Sequence, residues 1–283
     1  MIITQTPLRI SFLGGNTDLP KYYTKYGGMV LTTTIDKFVY CIVKERFDDL
    51  IIVNYSIKET VENVNDLQHE LVRESLKLLD ITKGIEISFL SDIPAKGSGL
   101  GSSSSVTVGL LNALHQYKGE SVTSKQLAQE AIKIEVEILK KPIGVQDQYI
   151  AAYGGFKWFY FMRSGKVVIR NVDMGSLRND FNNSLMLFYT GITRKADTVL
   201  STIKLNVELL HQNKQLTKKG IYALLKGRIY RFGSLLDSYW KIKKQLSEKI
   251  SNKEIDSMYN QAIEAGAIGG KILGAGGGGF MLL

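Results

Sequence analysis

The sequence predicts an α+β protein in two parts, which we place at residues 1–155 and 156–283. Three observations carry this. Strand-like patterns dominate the first ninety residues and feed a strand–glycine–serine–helix unit at 84–117. The composition changes after Gly155. Residues 196–265 then read largely helical, before a glycine run and an apolar strand close the chain.

The organising stretch runs from Pro94 to Ser105, Pro-Ala-Lys-Gly-Ser-Gly-Leu-Gly-Ser-Ser-Ser-Ser. Before it, Ile85, Ile87 and Phe89 alternate with polar residues, as in a half-buried strand. After it, Val106, Leu110, Leu111, Leu114 and Tyr117 have helical spacing. The stretch therefore reads as a glycine turn into a serine-capped helix start. Glycines admit close approach of a ligand, and free N–H groups at the positive end of a helix suit an anion. The expected anion is the phosphate chain of ATP, held by Lys96, Gly97, Ser98, Gly99, Leu100, Gly101, Ser102, Ser103 and Ser104. Leu100 inside the glycines, and the strong helix that follows at once, argue against a loose linker. A P-loop needs Gly-Lys-Ser/Thr, but Gly101 precedes Ser102; a dinucleotide fingerprint needs a third glycine where Ser102 stands.

In chain order, Leu8, Ile10 and Phe12 alternate with Arg9 and Ser11 along a strand that ends in Gly14-Gly15-Asn16-Thr17-Asp18. Val30 to Lys44 and Ile51 to Tyr55 read as β, rich in branched and aromatic residues. Asn65 to Leu79 reads as a helix. Thr123-x-x-Gln126 is a capping box opening another helix, with its stripe on Leu127, Ala131, Ile134 and Ile138. Glu135 lies about 60° from the middle of that stripe and Glu137 roughly 100° off on the other side. Glu135 is thus nearer the buried edge, where an acid needs a cation to offset desolvation. Pro142 and Gly144 end the helix, and Gln146, Asp147 and Gln148 form a polar cluster between apolar segments.

Lys157 to Met162 and Val167 to Val172 read as a hairpin about Arg163-Ser164-Gly165, and Leu185 to Tyr189 as a further strand. Arg194 and Lys195 follow it, either to bind a distal substrate phosphate or to begin the next helix. Gly220 and Gly233 are the weak points of the helical region. The terminal Gly274 to Gly279 run fits a dinucleotide pattern, but no helix follows it, so that reading fails. Lys271 precedes the run as a source of positive charge. The apolar strand Phe280 to Leu283 should be buried in a sheet.

Hydrophobic and charged contents of 44% and 22% are those of a globular protein. No apolar run approaches the roughly 18 residues of a membrane helix, and the first residues lack a signal peptide's build. The lone Cys41 excludes an internal disulfide and suits a reducing cytoplasm; it lies in an apolar run as a packed strand residue. The +9 charge is spread over helices without RNA-binding signatures, so it reads as a solvated basic surface that favours small polyanions. We expect no nucleic-acid or membrane partner. His69, His115 and His211 lack zinc-ligand spacing.

The Pro-x-x-x-x-Gly-Leu-Gly-Ser-Ser-Ser motif resembles the phosphate loop of the GHMP small-molecule kinases. The turn at 14–18, the Gly144-Val145-Gln146-Asp147-Gln148-Tyr149 segment and the terminal glycine loop resemble its other motifs. Gly-Gly-x-Thr-Asp-Leu-Pro and Gly-x-Gln-Asp-Gln-Tyr are most like its heptose 7-phosphate kinases, and the first also like the kinase part of fucokinase. The galactokinase Glu-His pair is replaced by Gly15-Asn16. The resemblance implies a ribosomal protein S5 domain 2-like first part and a ferredoxin-like second part, with substrate between them. It also implies a second part that stops short of the family's last helix and strand. It implies Mg-ATP-dependent phosphorylation of a sugar hydroxyl, the anomeric one of D-glycero-D-manno-heptose 7-phosphate, with Asp147 as base and Arg9 beside the reacting centre. Glu135 and Ser103, or Ser102 or Ser104, would hold Mg²⁺. Gly15, Asn16, Thr17, Asp18, Arg194, Gly276 and Gly277 would contact the sugar phosphate. The alternatives are another sugar 1-kinase and a non-catalytic sugar or nucleotide sensor on the same fold.

Overall fold

The computed structural model describes residues 1–93, 97–194 and 196–283, with Asp197 described by its backbone. Strand β2 (Gly28–Glu45) is the spine of the larger sheet. Along one side it pairs antiparallel with β1 (Ile2–Leu13). Along the other it pairs in tandem with β6 (Phe156–Phe161) and then β5 (Ile85–Ser91). Beyond these lie β7 (Val167–Asn171), β3 (Ile51–Asn54) and β4 (Lys58–Val61). The hairpin β6–β7 therefore belongs to the first sheet, because Phe156–Phe161 shares its backbone hydrogen bonds with Gly28–Thr33. The expected division at 155/156 falls inside hydrogen-bonded structure rather than between units.

One face of this sheet carries α2 (Glu70–Leu78), α3 (Ser102–Tyr117), α4 (Ser124–Ile132) and α5 (Gln146–Tyr153). Leu110, Leu111 and Leu114 of α3 meet Ile85 and Ile87 of β5 in that core. Leu8, Ile10 and Phe12 of β1 face the opposite side. There they pack with Phe181 of α6 (Leu177–Asn183), Ile221 and Leu224 of α8 (Val207–Leu225), and Phe232 and Leu235 of α9 (Ile229–Lys244). Alternation along β1 thus sends Arg9 and Ser11 toward the α3–α5 layer, as a strand's period of two requires.

Three local readings change. The helix expected from Asn65 begins only at Glu70, after a 3-10 turn at Val64–Asp66, because the His69 ring accepts the Val72 N–H and caps it. Gly220 and Gly233 do not break their helices. A Cβ on Gly233 would come within 3.0 Å of Ile268, and one on Gly220 would strike the Leu13 side chain, so both mark close packing. The turn between α8 and α9 uses Gly227 at φ +65° instead.

The second sheet runs β8 (Leu187–Tyr189), β10 (Phe280–Leu282), β9 (Lys271–Ile272), all antiparallel. Helices α8, α9 and α10 (Lys253–Glu264) accompany it, as does α7 (Ala196–Leu200). Met281 and Leu282 are buried with a strand on each side, as their apolarity predicts. The exposed apolar side chains of this sheet are on β8, where Phe188 and Tyr189 are each about half exposed.

Candidate active site

Arg9 reaches the first turn of α5. Its Nε donates to Asp147 Oδ1 at 2.7 Å and its Nη2 to Oδ2 at 2.5 Å, a two-pronged guanidinium–carboxylate pair. Nη1 donates to the Gly99 carbonyl at 2.6 Å, and the Arg9 N–H to the Leu100 carbonyl at 2.9 Å. One residue thus joins the first strand, the glycine turn and α5. Gly101 must lack a side chain here, since a Cβ would come 3.0 Å from Arg9 Cγ. The Arg9 side chain is 6% exposed and that of Asp147 24%, so the carboxylate keeps access from outside.

Asp18 approaches the same helix end. Its Oδ2 accepts the Gln146 N–H at 3.0 Å, while Oδ1 is buried with no partner. Burial, with Asp147 nearby, pushes the Asp18 carboxyl up to about 6. Gly144 leaves room for this carboxylate. Gln146 Oε1 accepts from Ser11 Oγ at 2.7 Å. Thr17 is committed differently from the expectation. Its hydroxyl donates toward the carbonyls of Gly14 and Met29 and accepts the Met29 N–H, so it builds the turn rather than facing a ligand. Gly15 and Asn16 are partly open, and Asn16 holds φ +72° in that turn.

Gly97, Gly99 and Gly101 all take positive φ, between +77° and +79°. The serines do not cap α3: the N-cap is Gly101, with no side-chain cap. The first intrahelical bond runs from Ser105 N–H to Gly101 carbonyl, leaving the N–H groups of Ser102, Ser103 and Ser104 ahead of it for a ligand. Ser98 and Ser102 hydroxyls pair at 3.1 Å, and Leu100 is buried in the core. Lys96 lies outside the described residues.

Glu135 sits in a π-helical turn, Lys133–Ile138, that continues α4 and directs it inward; Glu137 is exposed. Four side chains donate to the fully buried Glu135. Ser103 and Thr107 reach Oε1 at 2.9 and 3.0 Å, Ser104 reaches Oε2 at 2.8 Å, and Gln148 Nε2 also donates to Oε2. Burial pushes its carboxyl up, against these hydrogen bonds. Ser103 and Ser104, not Ser102, therefore share its environment. Gln148 must turn its NH₂ to the carboxylate, which leaves its Oε1 buried and unpartnered. Hydroxyl, carboxylate and amide oxygens are the donor set that fits Mg²⁺. Sequence reasoning missed Thr107 and Gln148; the only signal was two amide residues bracketing Asp147.

The family match agrees with this geometry. Residues 58–155 match the GHMP kinases N terminal domain and residues 221–283 the GHMP kinases C terminal. The chain belongs to the GHMP kinases. It is 33% identical over 301 aligned residues to D-glycero-alpha-D-manno-heptose 7-phosphate kinase of Campylobacter jejuni, covering 99% of this chain and 88% of that protein. It is 27% identical to the L-fucokinase/L-fucose-1-P guanylyltransferase of Bacteroides fragilis, over 99% of this chain and 34% of that protein. The crystal structure of a D-glycero-D-manno-heptose 1-phosphate kinase from Bacteriodes thetaiotaomicron superposes with a TM-score of 0.82 at 26% identity. It covers all of this chain and 88% of that one.

As a GHMP kinase the chain is an ATP-dependent phosphotransferase, and the second half of the chain supports the glycine turn at 97–101 directly. Phe280 N–H donates to the Ser98 carbonyl at 3.1 Å. Gly99 packs on Leu273 so closely that a Cβ would come 2.7 Å from the Leu273 oxygen. Arg194 lies across this joint, with Nε donating to the Gly276 carbonyl and Nη2 unpartnered. Burial lowers its guanidinium to about 10. With Gly277, Lys249 and Asn252 it lines a cavity of about 400 Å³. Lys271, expected to add charge to the glycine loop, points away. Its Nζ donates to the Ser11 and Phe12 carbonyls at 2.7 and 3.2 Å, over the Tyr239 ring. Those carbonyls border an irregularity in β1–β2 pairing, so the lysine satisfies what the ladder leaves open. No helix among the described residues is long and apolar enough to cross a membrane.

Proposed function

We propose that this kinase transfers the terminal phosphoryl group of ATP to the anomeric hydroxyl of D-glycero-D-manno-heptose 7-phosphate, giving the 1,7-bisphosphate and ADP. The observation that carries the reading is the Arg9–Asp147 pair held against the phosphate loop, with the unpartnered Asp18 oxygen on the same helix end. The specific sugar rests on the similarity to the heptose 7-phosphate kinase.

Asp147 accepts the hydroxyl proton as the sugar oxygen bonds to the γ-phosphorus. The bond from that phosphorus to the β–γ bridging oxygen breaks, and ADP leaves. Arg9 orients Asp147 and offsets charge developing in transfer. The N–H groups at Ser102–Ser104 and the glycine turn cradle the phosphates. Ser103 and Glu135, with Ser104 and Gln148 beside them, would hold Mg²⁺, which would offset phosphate charge. Asp18, Asn16 and Gly15 receive sugar hydroxyls, and Arg194 with Gly276 and Gly277 receives the distal phosphate. The product would feed synthesis of nucleotide-activated heptose.

The test is ADP release against a panel of free sugars and sugar 7-phosphates. Selective turnover of the heptose 7-phosphate is the expected result. Selective turnover of fucose or galactose would replace the sugar and keep the reaction. Nucleotide binding without turnover of any panel member would favour a sensor and sink the proposal.

A further inference from the structure

Lys243 is buried at 3% exposure on α9, among Tyr239, Trp240 and Leu236. An ammonium is costly in such a place unless it is well partnered. Its Nζ donates to the Gly274 carbonyl at 2.6 Å and the Ile272 carbonyl at 3.1 Å, the two ends of the entry to the glycine loop. Gly274 holds φ +59°, and a Cβ on it would lie 2.7 Å from Gly99 Cα, so this loop rests on the phosphate loop backbone to backbone. The Gly99 carbonyl in turn accepts from Arg9, which holds Asp147. Lys243, Gly274, Gly99, Arg9 and Asp147 form one continuous line of contacts.

The charges that bear on Lys243 are Arg9 from β1 and Arg194 from the segment before α7, both positive, while the buried Lys271 of β9 feels Lys243, Arg9 and the Asp147 carboxylate. Its neighbour Lys244 points away to Asp256 at 2.9 Å. Among the described residues no carboxylate forms an ion pair with Lys243, and Asp147 is taken by Arg9. Burial, helped by Arg194 and Arg9, brings the Lys243 ammonium down to about 7. Positive groups therefore outnumber the one carboxylate, Asp147, behind residues 97–104, and a polyphosphate bound there would add negative charge.

We propose that Lys243 is a positioning residue of the nucleotide site, which seats the glycine loop on the phosphate loop and takes up a proton when a polyphosphate binds. It does not touch the nucleotide. The proposal rests on reading 97–104 as the phosphate site.

The test is calorimetric titration of the intact chain with ADP and excess Mg²⁺ at pH 8, in buffers of different ionisation enthalpy. At that pH Asp18, near 6, is ionised and so is the terminal phosphate of ADP, so uptake reports the buried lysines. The wild type is expected to take up a large fraction of a proton per ADP. Lys243→Met should bind ADP about tenfold or more weakly, the scale of hydrogen bonds from a charged group, and should lose that uptake. Lys243→Arg, charged at any of these pH values, should bind more tightly than Lys243→Met and also take up no proton at this position. A merely structural lysine would lower the thermal midpoint of Lys243→Met and leave the proton count per bound ADP as in the wild type, which would overturn the proposal. Absence of uptake in the wild type would overturn it without any variant. A wild type that fails to bind ADP at all would mark failure of the phosphate-site reading itself.

Discussion

Arg9 gives each oxygen of Asp147 one N–H donor, and the carboxylate still keeps an exposed side. An acceptor hydroxyl on that side would meet a carboxylate oriented by the same partner. Asp147→Asn keeps the shape and loses the proton acceptor. We expect kcat to fall by about 10²–10⁴-fold, the usual worth of a general base, with ADP still bound. A rate within about threefold of the parent would remove Asp147 from that role. Asp18 carries a different cost. Its carboxyl titrates near 6 when folded and near 3.8 when free. Between those values the folded chain holds more protons than the unfolded chain, so stability falls as pH rises from about 4 to about 6 and the full cost persists above. A shift of about two units is worth roughly 3 kcal/mol. Asp18→Asn should therefore raise the thermal midpoint at pH 7.5 and, in the same protein, raise KM for the sugar about tenfold or more, as loss of a charged hydrogen-bond partner would. An unchanged KM would show that Asp18 is not a sugar ligand; an unchanged midpoint would show that its burial is not the cost inferred here. Both acids stood out in sequence because glycine-edged turns surround them. Lys243 did not, and Lys271 stood out only as a source of charge for the glycine loop, because a lysine's burial is set by which carbonyls come to meet it.

Element by element, the site depends on places where regular structure is interrupted. The π-helical turn after α4 carries Glu135 under the serines of α3, and α5 begins with three residues that face three different partners. The angular position of Glu135 against Glu137 was readable from the stripe of Leu127, Ala131, Ile134 and Ile138, of which the first three are buried; Ile138, at the end of the π-helical turn, is exposed instead. The Thr123 cap was readable too, and its hydroxyl accepts the Gln126 N–H at 3.2 Å. The real start of α2 was not, since a histidine ring is an unusual cap. Nor was the use of the α3 serines, whose hydroxyls turn to Glu135 and to Ser98 instead of to their own helix end. These choices are made by tertiary contact, which outweighs local propensity. The two glutamates give a direct comparison. Glu135→Gln should raise the Mg²⁺ concentration needed for half-maximal rate, and Glu137→Gln should leave it unchanged. Equal magnesium titrations of the two variants, or the reverse order, would refute the inward placement as a metal function.

For the molecule as a whole, the two sheets are not independent supports. The strand that carries Arg9 is gripped near its end by the later half of the chain. Lys271 binds the carbonyls of Ser11 and Phe12, and Asn213 of α8 accepts the Gly14 N–H at 3.1 Å and donates to the Gly15 carbonyl at 2.8 Å. Phe12, Phe181 and Phe232 pack ring to ring across the same junction, with centroids 5.6 to 5.7 Å apart. The glycine loop seals the phosphate loop from the same side. The later half therefore cannot unfold and leave a working first half behind: the strand end at Ser11 and Phe12, the turn at Gly14 and Gly15, and Gly99 would each lose a neighbour that fixes them. The polar contacts alone leave buried carbonyls open when broken, each at about 1–3 kcal/mol. We expect heat or urea to unfold the chain in one transition, with circular dichroism, Trp240 fluorescence read in a Trp158→Phe background, and kinase activity lost together. ADP should move all three midpoints upward by the same amount, as binding to the folded state alone requires. A biphasic curve, with Trp240 fluorescence changing before activity falls, would mean that the halves unfold separately. The later half would then be an attached neighbour of the site rather than part of its frame.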